Sequence, residues 1–318
     1  MSGVVLRPAS ADELREQVVT AGRSRTRVTA VHLDALDRVL DFSPEDMTVT
    51  VETGLTVTAL QQVLATAGQW LPLDPPHPDT TTLADVLHDD ISGPRRYGYG
   101  TVREHVIGLA AVLGDGRLVR SGGRVVKNVA GYDLARLLVG DGRALGICVE
   151  VTFKLSPRPA AERVFTLSSP SLDEIDRALE AVAAGPGDPV VLDLHNLDGT
   201  THQPLWTLVL AFAGHPDDVE WQAAQLDGRW EGQASLTHEV RFWEGRSFAS
   251  TPRVSVLPSR LTAHLRSVAA GDRVVARAGN GVAYGLPQGQ GSAGRQPSTL
   301  EQRVKAAYDP HDILPVLT

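Results

Sequence analysis

Residues 122–159 decide the fold of this 318-residue chain, and they read GGRVVKNVAGYDLARLLVGDGRALGICVEVTFKLSPRP. The segment combines a Lys-Asn pair, repeated glycine turns and a Tyr-Asp pair, and it then continues as an apolar strand over residues 147–155. Glycine lets the main chain come close to a ligand and leaves NH groups free to bind it. The first half of the segment therefore predicts a site where the backbone contacts a polyanionic ligand.

Length and composition restrict the class of protein. A chain of 318 residues favours two domains, and a net charge of −8 argues against a nucleic-acid surface. No apolar run approaches the ~20 residues that cross a bilayer, and the first residues do not follow a signal-peptide pattern. The single cysteine, Cys148, excludes an internal disulfide and an iron–sulfur cluster held by this chain alone. We expect a reduced, cytoplasmic protein in which Cys148 is a small core residue.

Local signals predict an α+β fold. Capping patterns predict helices after Ser10, Thr56, Ser171 and Ser298, and another beginning at Pro216. Apolar runs predict strands at residues 47–52, 102–113, 118–121, 147–155, 163–167, 190–195, 206–213 and 236–242. In the second half of the chain the order is strand-helix-strand-strand-helix-strand, which is the order of a ferredoxin-like unit.

Several motifs carry a resemblance to a known family. They are Asp74-Pro75-Pro76, Thr82-Leu83, SGPRRYG at residues 92–98, REHVIG at residues 103–108 and VKNVAGYDL at residues 126–134. With these motifs the chain resembles the FAD-binding subunits of glycolate oxidases, within the vanillyl-alcohol oxidase, or PCMH-type, flavoproteins. The resemblance is strong over roughly residues 45–160, and the VVKNVAGYDL string is more specific than a loose glycine pattern.

The resemblance implies three parts and a cofactor. Residues 1–159 would form a two-part PCMH-type FAD-binding domain, residues 160–270 a ferredoxin-like cap domain, and residues 271–318 a return to the FAD domain. FAD would be held non-covalently between the two parts of its domain, with its pyrophosphate on main-chain NH groups. In this family the histidine that carries covalent flavin lies in a loop that this chain lacks.

Carried over position by position, the resemblance also implies the cofactor contacts. Arg96 and Lys127 would offset phosphate charge, while hydroxyl and backbone NH groups would supply donors. The implied contacts are Pro75, Pro76, Thr80, Thr81, Thr82, Ser92, Gly93, Arg96, Tyr97, Lys127, Asn128, Gly131, Tyr132, Asp133 and Gly146.

The chain departs from the family pattern at three places. The expected Arg-Gly-Gly-Gly-Thr loop is missing after residues 20–31, and the expected Gly-Gly after Thr82-Leu83 is Ala84-Asp85. Residues 140–146 read GDGRALG, so that two expected hydroxyls are absent and Asp141 and Arg143 are present instead. A carboxylate at residue 85 would repel a nearby diphosphate by several kcal/mol at moderate effective dielectric.

Some motif residues have a second interpretation. Arg95-Arg96 would bind phosphate or pair with Asp89-Asp90, where surface ion pairs contribute only ~0–1 kcal/mol. Lys127-Asn128 could form a solvated turn, and Tyr132-Asp133 could be a buried hydrogen-bonded pair that anchors the next helix. The ten histidines show no His-x-x-x-His spacing, and residues 278–282 contain none, so no metal site is predicted.

By resemblance, the chain is expected to be a subunit of an FAD-dependent 2-hydroxy acid oxidoreductase of the glycolate oxidase kind. Hydride would pass from a small 2-hydroxy acid to the flavin. The expected partners are a sister flavin subunit and an iron–sulfur subunit, without nucleic acid and without a direct membrane span. A non-catalytic structural subunit with the same scaffold is the alternative. A third possibility is a different nucleotide held by the altered loops, for which Arg143 is the only support.

Overall fold

The computed structural model describes residues 3–123, 134–200, 204–248, 250–268, 271–285 and 297–316. The chain divides into two compact units. Unit 1 comprises Met1–Ser92, Thr101–Arg158 and Gly294–Thr318, and unit 2 comprises Gly93–Gly100 and Pro159–Ala293. Within the described ranges, no helix is long and apolar enough to cross a membrane.

The strands are short in both units. In chain order they are β1 (Val4–Leu6), β2 (Val28–Val31), β3 (Val39–Ser43), β4 (Thr48–Glu52), β5 (Gln69–Trp70), β6 (Val106–Leu113), β7 (Leu118–Gly122), β8 (Gly146–Lys154), β9 (Ser156–Pro157), β10 (Ala161–Ser169), β11 (Val191–His195), β12 (Trp206–Gly214), β13 (Glu231–Gln233), β14 (Arg253–Ser255), β15 (Val275–Arg277) and β16 (Val282–Tyr284).

Helices are present in both units. They are α1 (Ala11–Ser24), α2 (Val57–Ala65), α3 (Leu83–Asp89), α4 (Arg96–Tyr99), α5 (Val102–His105), α6 (Leu134–Leu138), α7 (Leu172–Ala184), α8 (Pro216–Ala224), α9 (Thr237–Trp243), α10 (Leu261–Leu265) and α11 (Thr299–Tyr308). The mixture of helices and antiparallel strands confirms the α+β prediction.

Unit 1 is built on a five-stranded antiparallel sheet in the order β3-β4-β8-β6-β7. Its central strand β8 is buried along almost its whole length, because both faces of the sheet are covered. Cys148, Val151 and Phe153 pack into one core, while Ile147 and Val149 pack into a second core that contains helix α1. This double burial explains why β8 reads as a continuous apolar run in the sequence.

Unit 1 also contains a two-stranded parallel sheet of β1 and β2. The last described segment joins this sheet, because Val28 N donates to Ile313 O at 2.7 Å. Helix α11 begins with the predicted capping box, in which Ser298 and Glu301 exchange hydrogen bonds, and it ends at Tyr308 as predicted. The first and the last parts of the chain therefore complete the same unit.

Unit 2 contains a seven-stranded antiparallel sheet in the order β13-β10-β12-β11-β15-β16-β14. Its first four strands follow the chain order β10-α7-β11-β12-α8-β13, which is the β-α-β-β-α-β order of a ferredoxin-like unit. Strands β15 and β16 extend this sheet. Residues 275–284 thus lie in unit 2, whereas the sequence-based division places the return to the FAD domain at residue 271.

Two strand predictions are wrong in part or in full. Residues 102–105 form helix α5, where the Glu104 carboxylate accepts from Thr101 N at 2.6 Å, and the strand begins only at Val106. Residues 237–243 form helix α9, which buries His238, Phe242 and Trp243 on one side. The strand expected there is β13, a few residues earlier in the chain.

Candidate functional site: an anion-facing cleft in unit 1

Unit 1 contains a cleft of about 480 Å³ beside strand β2. Its lining includes the polar residues Thr29, Thr80 and Thr82, the cationic residue Arg143 and the acidic residues Asp34 and Asp85. The lining residues are Val28, Thr29, Ala30, Val31, His32, Leu33, Asp34, Thr80, Thr82, Ala84, Asp85, Gly142, Arg143, Ile147, Leu314 and Pro315.

Asp85 is held at the wall of this cleft by helix α3 and by Arg143. Its carboxylate accepts from Thr82 N at 3.1 Å and from Thr82 Oγ1 at 2.7 Å, which closes a capping box. Arg143 Nη2 donates to Asp85 Oδ1 at 2.6 Å. Burial raises the pKa of the Asp85 carboxyl, but the hydrogen bonds from Thr82 and Arg143 outweigh burial and hold the pKa below its usual value. Asp85 is therefore an ionised group that already has a cationic partner.

Asp141 does not face the cleft but builds the turn that presents Arg143. Its Oδ1 accepts from Arg143 N at 3.0 Å, and its Oδ2 accepts from Leu145 N at 2.9 Å. The buried ring of His88 lies with Nδ1 2.6 Å from Asp141 Oδ1, while Cys148 N donates to His88 Nε2 at 3.2 Å. Because Nε2 is an acceptor, the remaining ring proton lies on Nδ1 and is donated to Asp141. The aspartate that replaces a family hydroxyl is thus a structural part of the loop.

Arg143 has an unfavourable backbone conformation. Its φ is +64°, in the left-handed region that costs a non-glycine residue ~1–2 kcal/mol. Its ion pair with Asp85 is partly exposed, and such pairs contribute only ~0–1 kcal/mol. The ion pair with Asp85 alone does not offset the backbone strain at Arg143. Strained residues of this kind cluster at functional sites.

The predicted contacts in unit 1 are only partly collected at this cleft. Thr80 and Thr82 line it. Thr81 Oγ1 instead donates to Pro76 O at 2.6 Å, and buried Ser92 Oγ accepts from Val102 N at 3.2 Å. Gly146 lies in the core at the start of β8, and Pro75 is buried in the loop before α3. Sequence reasoning missed the lining residues Thr29, Asp34 and Leu314, for which the motifs give no signal.

The other predicted contacts lie elsewhere. Gly93, Arg96 and Tyr97 belong to unit 2, where the Tyr97 ring packs closely against Gly279. Lys127, Asn128, Gly131, Tyr132 and Asp133 fall outside the described residues, so their roles stay predictions.

Arg95 has a described ion pair that the sequence analysis did not consider. Arg95 Nη2 donates to Glu162 Oε1 at 2.7 Å and to Oε2 at 2.9 Å. Glu162 lies near the start of strand β10 in the same unit. Because the two residues are 67 positions apart, local sequence patterns could not predict this contact.

Unit 2 contains a buried charged cluster that histidine spacing did not reveal. Ligand atoms of Asp193, His238 and Glu239 lie within 4.8 Å of one another. Arg277 Nη1 lies between the carboxylates, 2.5 Å from Asp193 Oδ2 and 2.6 Å from Glu239 Oε1. The guanidinium thus occupies the position of a cation in this cluster. His195 stacks on His238, and burial together with His238 lowers the pKa of His195 to about 3.

With this geometry in place, comparisons with known proteins relate part of unit 1 to a described family. A family model described as "FAD binding domain" matches residues 17–122. The match begins in helix α1 and ends with strand β7, and it includes the cleft-lining residues 28–34 together with Thr80, Thr82, Ala84 and Asp85. It confirms the predicted resemblance to FAD-binding oxidoreductases, and it supports FAD as the cofactor of this domain.

The curated relatives include enzymes of 2-hydroxy acids. Glycolate oxidase subunit GlcE of Escherichia coli is 39% identical over 124 residues, which cover 39% of this chain and 35% of the relative. Glycolate oxidase subunit GlcD of Bacillus subtilis is 31% identical over 158 residues, or 50% of this chain and 34% of the relative. D-2-hydroxyglutarate dehydrogenase of Xanthomonas citri is 33% identical over 152 residues, or 48% and 32%. The matched segments span about a third of each relative.

Among solved structures, alkyldihydroxyacetonephosphate synthase has a similar fold. The TM-score is 0.70 at 15% sequence identity, over 97% of this chain and 75% of the synthase chain. The similarity covers residues of both units and supports the fold.

The residues of the FAD-binding domain fit an anionic cofactor in part. Arg143 offers donors of the kind that phosphate groups need, whereas the hydroxyls of Thr80 and Thr82 at the same cleft already donate to His77 O and to Asp85. Two acidic residues, Asp34 and Asp85, also line the cleft. The donor set therefore suits a phosphate, provided that Arg143 can exchange Asp85 for it.

Proposed function

We propose that this chain is a subunit of an FAD-dependent oxidoreductase that acts on a small 2-hydroxy acid. One observation carries the proposal. The similar enzymes are named for glycolate, D-2-hydroxyglutarate and D-lactate, which are all 2-hydroxy acids, and residues 17–122 match an FAD-binding domain. FAD, when bound, supplies a two-electron acceptor for such a substrate.

In this proposal, the residues of unit 1 bind and orient the cofactor. The guanidinium of Arg143 contacts its phosphates in the cleft, which Thr80 and Thr82 also line. The motif residues 126–134 contribute the main-chain contacts that the sequence predicts. Unit 2 acts as the cap domain, and Arg96 and Tyr97 at its first segment are its proposed cofactor contacts.

The proposed partners are a sister flavin subunit and an iron–sulfur subunit. The relatives named as glycolate oxidase subunits support an assembly of several chains. Since this chain has one cysteine, which is buried, another chain has to hold any iron–sulfur cluster that accepts the electrons.

The purified protein tests the flavin proposal directly. We expect the visible absorption bands of oxidised flavin in the protein as isolated, or after addition of FAD and removal of the excess. The bands should bleach on anaerobic addition of glycolate or D-lactate in the presence of the partner subunits. A colourless protein that does not take up FAD would overturn the proposal.

A structural, non-catalytic subunit is the second candidate. It is favoured by one specific observation, namely that Asp85 already neutralises Arg143 in the cleft. If the wild-type chain binds no FAD and the Asp85→Gly variant does, the chain is a degenerate member of the family. Tight FAD binding by the wild-type chain excludes this alternative.

A further inference from the structure

Arg143 and Asp85 form an ion pair at a cleft that has room for a ligand. The exposed fractions of the two side chains are 23% and 37%, so both groups can be reached from the 480 Å³ space beside β2. The other described hydrogen bond of Arg143 is made by its backbone N, which donates to Asp141 Oδ1. The guanidinium therefore has a single described anionic partner, and that partner lies at the cleft wall.

The local structure keeps Arg143 in this place at a conformational cost. Asp141 fixes the turn through Arg143 N and Leu145 N, and it is itself buried against His88. A glycine would adopt the positive φ of residue 143 without strain. A buried, well-bonded turn thus presents a cation to the cleft at a position where a glycine would be less strained.

We infer that Arg143 is the cationic contact for a phosphate or diphosphate group bound in this cleft, and that Asp85 is an internal anion that competes with this group for Arg143. The ligand class is a nucleotide with a diphosphate. If the nucleotide is FAD, the inference rests on the proposed function. The inference also applies if the altered loops hold a different nucleotide.

The competition between Asp85 and a phosphate group follows from the chemistry of the guanidinium. A guanidinium binds carboxylate and phosphate oxygens with the same donors, so the two anions exclude each other at the same N–H groups. Thr82 N and Thr82 Oγ1 hold Asp85 in place even when Arg143 turns away, because both bonds come from its own helix start. Asp85 therefore remains beside the site as a repelling charge after the exchange, and its removal strengthens binding.

The test uses the full chain, freed of any bound flavin, and three probes. FAD binding is followed by quenching of flavin fluorescence, riboflavin serves as the flavin without phosphate, and ADP is titrated by calorimetry. The variants are Asp85→Asn, Arg143→Gln, Arg143→Lys and the double change Asp85→Asn with Arg143→Gln. Glu16→Gln and Arg23→Gln on the exposed side of α1 are controls for net charge.

We expect Asp85→Asn to tighten FAD binding about tenfold, because it removes the competing charge. Arg143→Gln should weaken FAD binding about tenfold, because it removes one charge-assisted contact. In the double variant the gain from Asp85→Asn should largely disappear. Arg143→Lys should restore most of the affinity, riboflavin binding should not respond, and the control variants should stay near the wild type. Thermal unfolding of each variant shows whether it is folded. If Asp85→Asn does not fold, the Arg143 variants test the inference.

The outcomes separate this inference from the proposed function. If FAD binds equally to wild type, Arg143→Gln and Asp85→Asn, the inference is overturned and the flavoprotein proposal stands. If ADP but not FAD shows the expected responses, the inference stands and the flavoprotein proposal falls. If no variant binds either nucleotide, both are overturned.

Discussion

At the scale of single residues, two of the three departures from the family pattern, at residue 85 and at residues 141–143, form one connected arrangement. Asp141 bonds the backbone of Arg143, and the Arg143 guanidinium bonds Asp85. Considered alone, each of these residues replaces a glycine or a hydroxyl residue that the family pattern would have. Together they compensate one another, because each charge has a partner within hydrogen-bond distance.

Asp141 should contribute strongly to the stability of unit 1. We expect Asp141→Ala to lower the free energy of unfolding by about 3 kcal/mol, because it leaves Leu145 N and the buried His88 ring without their acceptor. Urea unfolding measures the change. Asp34→Ala, which removes a mostly exposed carboxylate, should change stability by less than ~0.5 kcal/mol. A loss below ~1 kcal/mol for Asp141→Ala would contradict the role of this turn.

At the scale of elements, the sequence predicted the helices and strands that have a local sequence signal. Helix α11 begins at the Ser298–Glu301 capping box, and strand β8 follows from an apolar run that both cores bury. Helix α5 was missed although Thr101 and Glu104 carry the same capping signal, because the apolar run that follows outweighed it. The Asp85–Arg143 contact could not be predicted, because it joins residues 58 positions apart and depends on tertiary packing.

The end of helix α11 depends on the pair Lys305–Asp309. Asp309 accepts from Ile313 N and Leu314 N, and Lys305 Nζ donates to Asp309 Oδ2 at 2.6 Å and to Ala144 O at 2.9 Å. We expect Lys305→Met to destabilise unit 1 by about 3 kcal/mol, because it leaves a buried carboxylate without its cation.

Chemical denaturation followed by circular dichroism measures this loss. Arg303→Met is the matched control, since Arg303 lies on the exposed side of the same helix. Equal stability of the Lys305 and Arg303 variants would show that the pair has no structural role.

At the scale of the whole molecule, both units combine apolar cores with buried charged groups. Unit 1 has two apolar cores on either side of its sheet, together with the pairs His88–Asp141 and Lys305–Asp309. Unit 2 has the buried cluster of Asp193, His238, Glu239 and Arg277 beside its apolar clusters. Because the Glu239 carboxylate belongs to this cluster, we expect unit 2 to be sensitive to acid.

The pH dependence follows from the pKa of Glu239. Burial raises this pKa, but the charge and hydrogen bonds of Arg277 outweigh burial and lower it below 4.5. A carboxyl whose pKa is lower in the folded state stabilises the fold above its unfolded pKa, and this contribution is lost as the pH falls through the folded pKa. We therefore expect unit 2 to lose stability below about pH 4.5.

Tryptophan fluorescence reports this loss, because Trp206, Trp221, Trp230 and Trp243 lie in unit 2 and Trp243 Nε1 donates to Glu239 Oε2. Glu239→Gln should flatten the acid response, while Glu180→Gln on the exposed side of α7 should leave it unchanged. An unaltered acid profile in Glu239→Gln would show that another group is responsible.

Unit 1 is assembled from three separate stretches of chain, and this has a consequence for biosynthesis. Residues 159–293 can leave the ribosome and fold as most of unit 2 before helix α11 has been translated. Unit 1 has to wait, because Ile313 and Leu314 belong to its second core and Asp309 meets Gly114 there. Until residues 313–314 have been translated, the part of this core that β1 and β2 form stays uncovered.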